Sequence, residues 1–232
     1  TLLEALDHAD GLDKNDLSFD LPVYAVDTDG DDSLVSQLNV TIGDDVQIMQ
    51  DGALNIVEPT VADLAAGTPT TTTVNVFDQE GADGATITQF TYDGGAVLTL
   101  DQNNTGEQKF VVAEGSLYIT IQGELRFEPN RNLDHTGGDI VKQIEVTSSD
   151  FDKDTVTSTV TLTITDGDIP TIDSVPSVTL SETNLADGSA PSSGAVSQTE
   201  TLTFTNQSDD VTRFRLEPTE FNVGGALKSN GF

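Results

Sequence analysis

The chain has no cysteine and no tryptophan, and methionine occurs once in its 232 residues. Without cysteine there are no disulfides and no thiolate metal sites. An extracellular protein without disulfides needs another cross-link, and bound calcium is the usual one. No apolar run approaches the roughly 20 residues that span a bilayer, and the first residues lack the basic segment of a signal peptide. We therefore expect a stretch from within a larger protein, with no membrane insertion.

Positive charge is also scarce, because 9 Lys+Arg stand against 40 Asp+Glu and the formal net charge is -31. Binding to nucleic-acid phosphates requires lysine and arginine, so nucleic acid is excluded as a partner. The same charge disfavours anionic membrane surfaces. A chain this acidic either repels itself in solution or has its charge neutralised by bound cations.

Internal repetition is the strongest organisational signal. The acidic segment DTDGD, which begins at Asp27, recurs as DFDKD at Asp150, an offset of 123 residues. LDH ends at His8 and again at His135, and EPTVAD from Glu58 recurs as ETNLAD from Glu182. A period of about 125 residues is typical of tandem domains. It divides the chain into the end of one repeat (1–45), a complete repeat (46–168) and the start of the next (169–232).

Alternation of apolar and polar residues predicts an all-β fold. It is clearest in Thr155–Thr165, where valine, leucine and isoleucine alternate with threonine. Other strands are predicted at regular turn spacing, among them residues 178–181, and one short helix is predicted at Val61–Ala66. About eight strands per repeat indicate tandem immunoglobulin- or cadherin-like β-sandwiches.

Clustered carboxylates flank the Thr155–Thr165 strand. Eleven residues extend about 36 Å, close to the length of a sandwich, so the two clusters belong to opposite poles of one domain. Asp150, Asp152 and Asp154 should face the incoming linker, which carries Asp44 and Asp45. Asp166 and Asp168 should lie in the outgoing linker and face the next domain. Carboxylates within about 4–6 Å of one another repel unless they share a cation, and 6–8 oxygen ligands suit calcium.

Further candidate calcium ligands come from the repeat. The first copy of the acidic motif contributes Asp27, Asp29 and Asp31. Glu58 and Glu182 each follow the linker acids by one strand length, which carries them to the far pole beside the next linker. Asp63 and Asp187 are weaker candidates, because helix capping explains such residues equally well.

No catalytic arrangement is evident. Both histidines occur in the LDH motif, one per repeat and without a second histidine nearby, so we interpret them as turn residues bonded to the backbone. The acid pairs lack the aromatic floor that a glycosidase would offer to sugar, and no nucleophile motif or phosphate loop occurs. The sequence therefore predicts a protein that is not an enzyme.

Taken together, the motifs resemble a known family. They are LDH, D-x-D-x-D, the Val/Thr strand ending in DGDIP, ETNLADGS, the aromatics Phe204, Phe214 and Phe221, and LKSNG. This set resembles the tandem repeats of giant RTX adhesins that bacteria export by type I secretion. The resemblance implies β-sandwich extender domains, with calcium at their junctions, that space a ligand-binding tip from the cell surface. Partners would be neighbouring repeats, with a host or biofilm ligand bound through other domains.

One alternative stays open. A domain of this chain could itself be the sugar- or peptide-binding tip of such an adhesin. Aromatic residues make up only 6% of the chain, and a tip domain should be unique rather than repeated, so the extender interpretation is favoured.

Overall fold

The computed structural model describes residues 3–6, 8–10, 14–68, 71–191 and 194–212. The chain divides into two compact units, Thr1–Gly167 and Asp168–Phe232. The first unit contains thirteen of the fifteen described strands and the α-helix.

Strands of the first unit are short and closely spaced along the chain. They are β1 (Asp16–Val23), β2 (Ser36–Gly43), β3 (Ile48–Met49), β4 (Gly52–Val57), β5 (Thr73–Asn75), β6 (Phe77–Gln79), β7 (Ala85–Tyr92), β8 (Leu98–Thr99), β9 (Gln108–Val112), β10 (Gly115–Ile119), β11 (Glu124–Pro129), β12 (Ile140–Asp150) and β13 (Thr155–Thr165). Helix α1 (Val61–Ala66) follows β4. The second unit has β14 (Thr171–Ser174), β15 (Thr203–Thr205) and a 3-10 turn at Glu182–Asn184.

Two sheets face each other in the first unit. One has the strand order β4-β13-β12-β7-β8, and the other has the order β5-β11-β10-β9. All their pairings are antiparallel except that of β4 with β13, which is parallel. Since β4 and β13 run in the same direction, their last residues, Val57 and Thr165, lie side by side. The residues that follow these two strands therefore emerge at the same pole.

The core lies between these sheets, and β13 shows how the sequence builds it. Val160, Leu162 and Ile164 are fully buried, while the threonines between them face the other side. Phe90 of β7 and Phe110 of β9 bring the two sheets together, with ring centroids 4.7 Å apart in an edge-to-face arrangement. The predicted all-β sandwich is confirmed, as is the predicted strand at Thr155–Thr165.

Helix α1 begins and ends where its sequence dictates. Thr60 caps its N-terminus by accepting from the backbone N–H of Asp63, and the Asp63 carboxylate accepts in return from the Thr60 N–H. These bonds hold the pKa of Asp63 below its ordinary value. Gly67 ends the helix in the left-handed conformation. The predicted helix is confirmed, and capping accounts for Asp63.

Some strands were missed by the sequence-based prediction, and one predicted strand does not form. β1 and β2, which form an exposed hairpin, and β14 were not among the predicted strands. Residues 178–181 were predicted to form a strand but form none, and Val178 and Leu180 are exposed there. Because these side chains are exposed among the described residues, the alternation of apolar residues does not suffice to make a strand there. Phe214, Phe221 and the LKSNG segment lie outside the described residues.

The two acidic motifs close their hairpins in the same way. Asp27 N–H donates to the carbonyl of Asp31 at 3.1 Å, and Asp150 N–H donates to the carbonyl of Asp154 at 3.2 Å. The fourth residue of each motif has a positive φ, 98° in the first copy and 71° in the second. That residue is Gly30 in the first copy, but Lys153 in the second, where a side chain makes the conformation costly.

Replacing Lys153 with glycine should therefore raise the free energy of unfolding by about 0.5–1 kcal/mol. The exposed ion pair of Lys153 with Asp10 contributes little to stability. Lys153→Ala is the control, because it removes the same ion pair but keeps the Cβ. Urea denaturation in chelator would measure both variants. Equal stabilities for the two would contradict the prediction.

Candidate metal centre

The segment that follows β2 is held against the tip of the β12–β13 hairpin. The backbone N–H of Asp44 donates to the carbonyl of Asn15 at 3.0 Å. Gln47, which is buried, donates from Nε2 to the carbonyl of Asp154 at 3.0 Å and to Oγ of Ser148 at 3.2 Å. The two bonds of Gln47 bring the linker next to the hairpin loop, while the bond to Asn15 ties the linker to the start of β1.

Three carboxylates converge where linker and hairpin meet. Asp44, Asp152 and Asp154 each offer a carboxylate oxygen, and the three oxygens lie within 4.8 Å of one another. The three residues are only 4%, 1% and 1% exposed. Asp44 comes from the linker, and the other two come from the loop between β12 and β13. The structure thus brings together two groups of acids that are far apart in the sequence.

Several oxygens in this cluster lack the partners that burial normally demands. Among the described residues, Oδ2 of Asp44 and both carboxylate oxygens of Asp152 accept no hydrogen bond. No described lysine or arginine forms an ion pair with either residue. A buried carboxylate without compensation is very unfavourable, because it has lost its water and lies close to other negative charges. A bound cation would remove both costs.

Two acids near the cluster have raised pKa values. Burial, followed by the proximity of Asp152, raises the pKa of Asp150 to about 7. Burial and the charges of Asp152 and Asp44 also raise the pKa of Asp83. Asp83 was not predicted from the sequence, because its loop is placed by a tertiary contact: the Ala82 N–H donates to Oδ2 of Asp45 at 3.0 Å.

Two predicted ligands shape the loops instead of joining the three-carboxylate cluster. Oδ1 of Asp150 accepts the backbone N–H of Asp154 at 2.8 Å and so closes the hairpin turn. Asp45 uses its carboxylate to hold the loop between β6 and β7. Both lie within two residues of a cluster member in the sequence, and their carboxylates hold the backbone of the adjacent loops.

The donor set of this cluster fits calcium. Every side-chain ligand in it is oxygen, as the hard cations Ca²⁺ and Mg²⁺ require. Calcium accepts 6–8 oxygens in flexible geometry, so three carboxylates, nearby carbonyls and water can complete its shell. Magnesium demands near-ideal octahedral geometry and retains its water, which suits a crowded set of carboxylates less well.

A second cluster forms at the other pole of the same unit. Glu58 follows β4 and Asp166 follows β13, so the parallel pairing of these strands puts the two acids side by side. His135 joins them, and one ligand atom from each of the three residues lies within 4.8 Å of the others. The sequence predicted the meeting of Glu58 with the outgoing linker but interpreted His135 as a turn residue bonded to the backbone.

The remaining predicted ligands are not part of these clusters. Asp27, Asp29 and Asp31 lie close together but are exposed. Oδ1 of Asp27 already accepts three backbone N–H groups of its own turn, and the side chain of Asp29 and these bonds lower its pKa. Asp168 belongs to the second unit, where its N–H donates to Oγ of Ser208 at 3.0 Å. Glu182 opens the exposed 3-10 turn of that unit.

Comparison with known proteins gives structural neighbours only. No family model matches the chain, and the search of curated proteins found no match. The crystal structure of Protocadherin Gamma C5 EC1-3 is 14% identical with a TM-score of 0.29, covering 68% of this chain and 46% of that chain. The structure of mouse clustered PcdhgC3 EC1-3 is 10% identical with a TM-score of 0.30, covering 71% and 47% respectively.

The chain thus spans less than half the length of either neighbour. At these TM-scores the neighbours support no argument, and the sandwich fold rests on the two sheets and their shared core. In the described part of the chain, we find no helix with the length and apolar character needed to traverse a membrane.

Proposed function

We propose that this chain is a calcium-stabilised extender region of a large secreted bacterial adhesin and has no enzymatic activity. The observation that carries the proposal is the buried cluster of Asp44, Asp152 and Asp154, in which Oδ2 of Asp44 and both carboxylate oxygens of Asp152 accept no hydrogen bond among the described residues. One member comes from the linker and two come from the domain that follows it. A cation bound there would fasten the linker to the domain and so restrict bending at the junction.

Repetition of the hairpins supports an array. The β1–β2 hairpin carries DTDGD with the same turn geometry that DFDKD has between β12 and β13. In this proposal β1 and β2 end a preceding repeat, residues 46–168 form a complete one, and residues 169–232 begin the next. Exposed apolar residues on β1 agree with a strand pair that belongs to another sandwich; they are Leu17, Phe19, Leu21 and Val23.

The mechanism that we propose for folding outside the cell is electrostatic. At a formal charge of -31, the chain repels itself where calcium is scarce, as in the cytosol, and this favours export of an extended chain. Outside the cell, millimolar calcium would fill sites whose Kd is on the order of 10⁻⁴–10⁻³ M, the range of extracellular modules. Ions that bind only the folded state stabilise it by mass action. Secretion by the type I route, location at the bacterial surface and a role in biofilms follow from the family resemblance.

Calcium should raise the melting temperature of the chain by about 5–10 °C when its concentration is about 100 times Kd. An equal concentration of magnesium should raise it less, because the crowded carboxylates suit calcium better. Calorimetry in calcium, magnesium and chelator would measure this, with X-ray scattering in the same buffers. Identical melting temperatures and molecular dimensions in all three buffers would refute the proposal.

A further inference from the structure

His135 lies in an environment that a turn residue does not require. Its side chain is only 5% exposed, and its Nε2 lies 3.3 Å from Oε2 of Glu58. Among the described residues, neither ring nitrogen takes part in a hydrogen bond. A buried polar group without a hydrogen bond costs about 1–3 kcal/mol, so this ring position needs an explanation.

The backbone around His135 positions the ring. Leu133 donates its N–H to Oε1 of Glu58 at 3.0 Å, which fixes the loop against the end of β4. The carbonyl of His135 accepts the N–H of Gly138 at 2.9 Å, so its backbone does form the turn that the sequence predicted. The side chain, however, lies against Glu58 and close to Asp166.

We propose that Glu58, His135 and Asp166 form a binding site for a divalent transition-metal cation of the Zn²⁺ class. Imidazole nitrogen is a good ligand for zinc, whereas calcium takes oxygen ligands. With metal–ligand bonds of about 2.0–2.1 Å, neighbouring ligands of a tetrahedral zinc site are about 3.3 Å apart. The separation of Nε2 from Oε2 is 3.3 Å, which matches this spacing.

The burial and exposure of these residues also suit a metal site. Glu58 is buried and held by its bond from Leu133, so it is preorganised. Asp166 is exposed and therefore gives the ion a path to solvent. Water would occupy the fourth position. This inference reassigns Glu58 and Asp166 from the predicted calcium set, and it holds whether or not calcium binds at Asp44, Asp152 and Asp154.

His8 provides a comparison within the chain. It ends the other LDH motif and is also buried, and it lines a cavity together with Glu4, Asp44, Asp45 and Asp83. Its Nδ1, however, lies 3.4 Å from Oδ1 of Asn15, so its ring already has a hydrogen-bonding partner. The chain has only these two histidines, so each can be followed separately.

The test uses the 232-residue chain labelled with ¹⁵N in its histidines, in calcium sufficient to saturate carboxylate-only sites. Stoichiometric Zn²⁺ should shift the ring nitrogen signals of His135 and leave those of His8 in place. Excess calcium separates this question from the proposed function, since loss of calcium binding would not alter the zinc result. Ring signals of His135 that do not respond to Zn²⁺ would overturn the proposal.

Titration calorimetry with Zn²⁺ on variants supplies a second readout. His135→Gln should weaken zinc binding by at least about tenfold, because it removes a direct ligand and loss of even an outer partner has that effect. His8→Gln should bind zinc as the parent does. Equal affinities for the parent and His135→Gln, or equal losses in the two variants, would also overturn the proposal. If His135→Gln fails to fold, the labelled parent chain still decides the question.

Discussion

Replacing Asp152 with asparagine should stabilise the calcium-free chain and destabilise the calcium-loaded chain. Asp152 is 1% exposed and shares its site with Asp44 and Asp154. Two charges about 4 Å apart repel by up to about 4 kcal/mol at an effective dielectric constant of 20. Removing one charge should therefore raise the free energy of unfolding by at least about 1 kcal/mol when no cation is bound.

When calcium is bound, the same substitution should lower the free energy of unfolding. A ligand at 100 times its Kd adds about 2.7 kcal/mol to the stability of the state that it binds. Asparagine retains one oxygen but loses the charge, so most of that increment should disappear. Urea denaturation of the parent and of Asp152→Asn, each in calcium and in chelator, measures the four free energies. Combined in a thermodynamic cycle, the four free energies isolate the part of the mutational effect that depends on calcium.

Asp29→Asn is the matched control for Asp152→Asn. Asp29 occupies the same place in DTDGD that Asp152 occupies in DFDKD, but it is exposed. Its replacement should change stability by less than about 0.5 kcal/mol in either buffer. If Asp152→Asn instead loses the same amount of stability in calcium and in chelator, the carboxylate has a structural role and the calcium site is wrong.

Truncation of Phe127 to alanine should lower the free energy of unfolding by about 3–5 kcal/mol. Phe127 lies on β11 and is fully buried in the core between the sheets. Removing its ring leaves a cavity that surrounding strands fill only partly. The loss is a large part of the roughly 5–15 kcal/mol that stabilises a typical domain.

Phe151→Ala is the control for this second prediction, because Phe151 is 72% exposed although it stands between Asp150 and Asp152. Its truncation should change stability by less than about 0.5 kcal/mol. Since Phe127 takes no part in the acidic cluster, its effect should be the same with and without calcium. A loss below about 1 kcal/mol for Phe127→Ala would contradict the packing of the two sheets.

Local sequence patterns were reliable wherever the structure follows from short-range chemistry. Period-two alternation located the strand at Thr155–Thr165, and a capping sequence located the helix at Val61–Ala66. Alternation wrongly predicted a strand at residues 178–181, which pair with no sheet in the part of the chain that the structure describes. Strand formation depends on partners and burial, which a window of a few residues does not contain.

The site residues were likewise predicted from the sequence only in part. Acids repeated at a fixed offset identified the loop and linker that meet at Asp44, Asp152 and Asp154. Asp83 was missed, because a contact between distant loops brings it there. His135 forms the turn that the sequence predicted, but its side chain was not predicted to meet Glu58 and Asp166. That meeting depends on the parallel pairing of β4 with β13, which the sequence pattern around His135 does not contain.

The sequence by itself determined the all-β class, the acidic character, the repeat and which segments could supply metal ligands. Composition, alternation and recurrence are properties of the chain, so they can be observed before it folds. The tertiary structure alone decided which carboxylates are buried together, which ones only shape loops, and that an imidazole joins Glu58 and Asp166. Those outcomes depend on the parallel pairing of β4 with β13 and on the linker lying over a hairpin. Both join residues far apart in the chain, which no local pattern encodes.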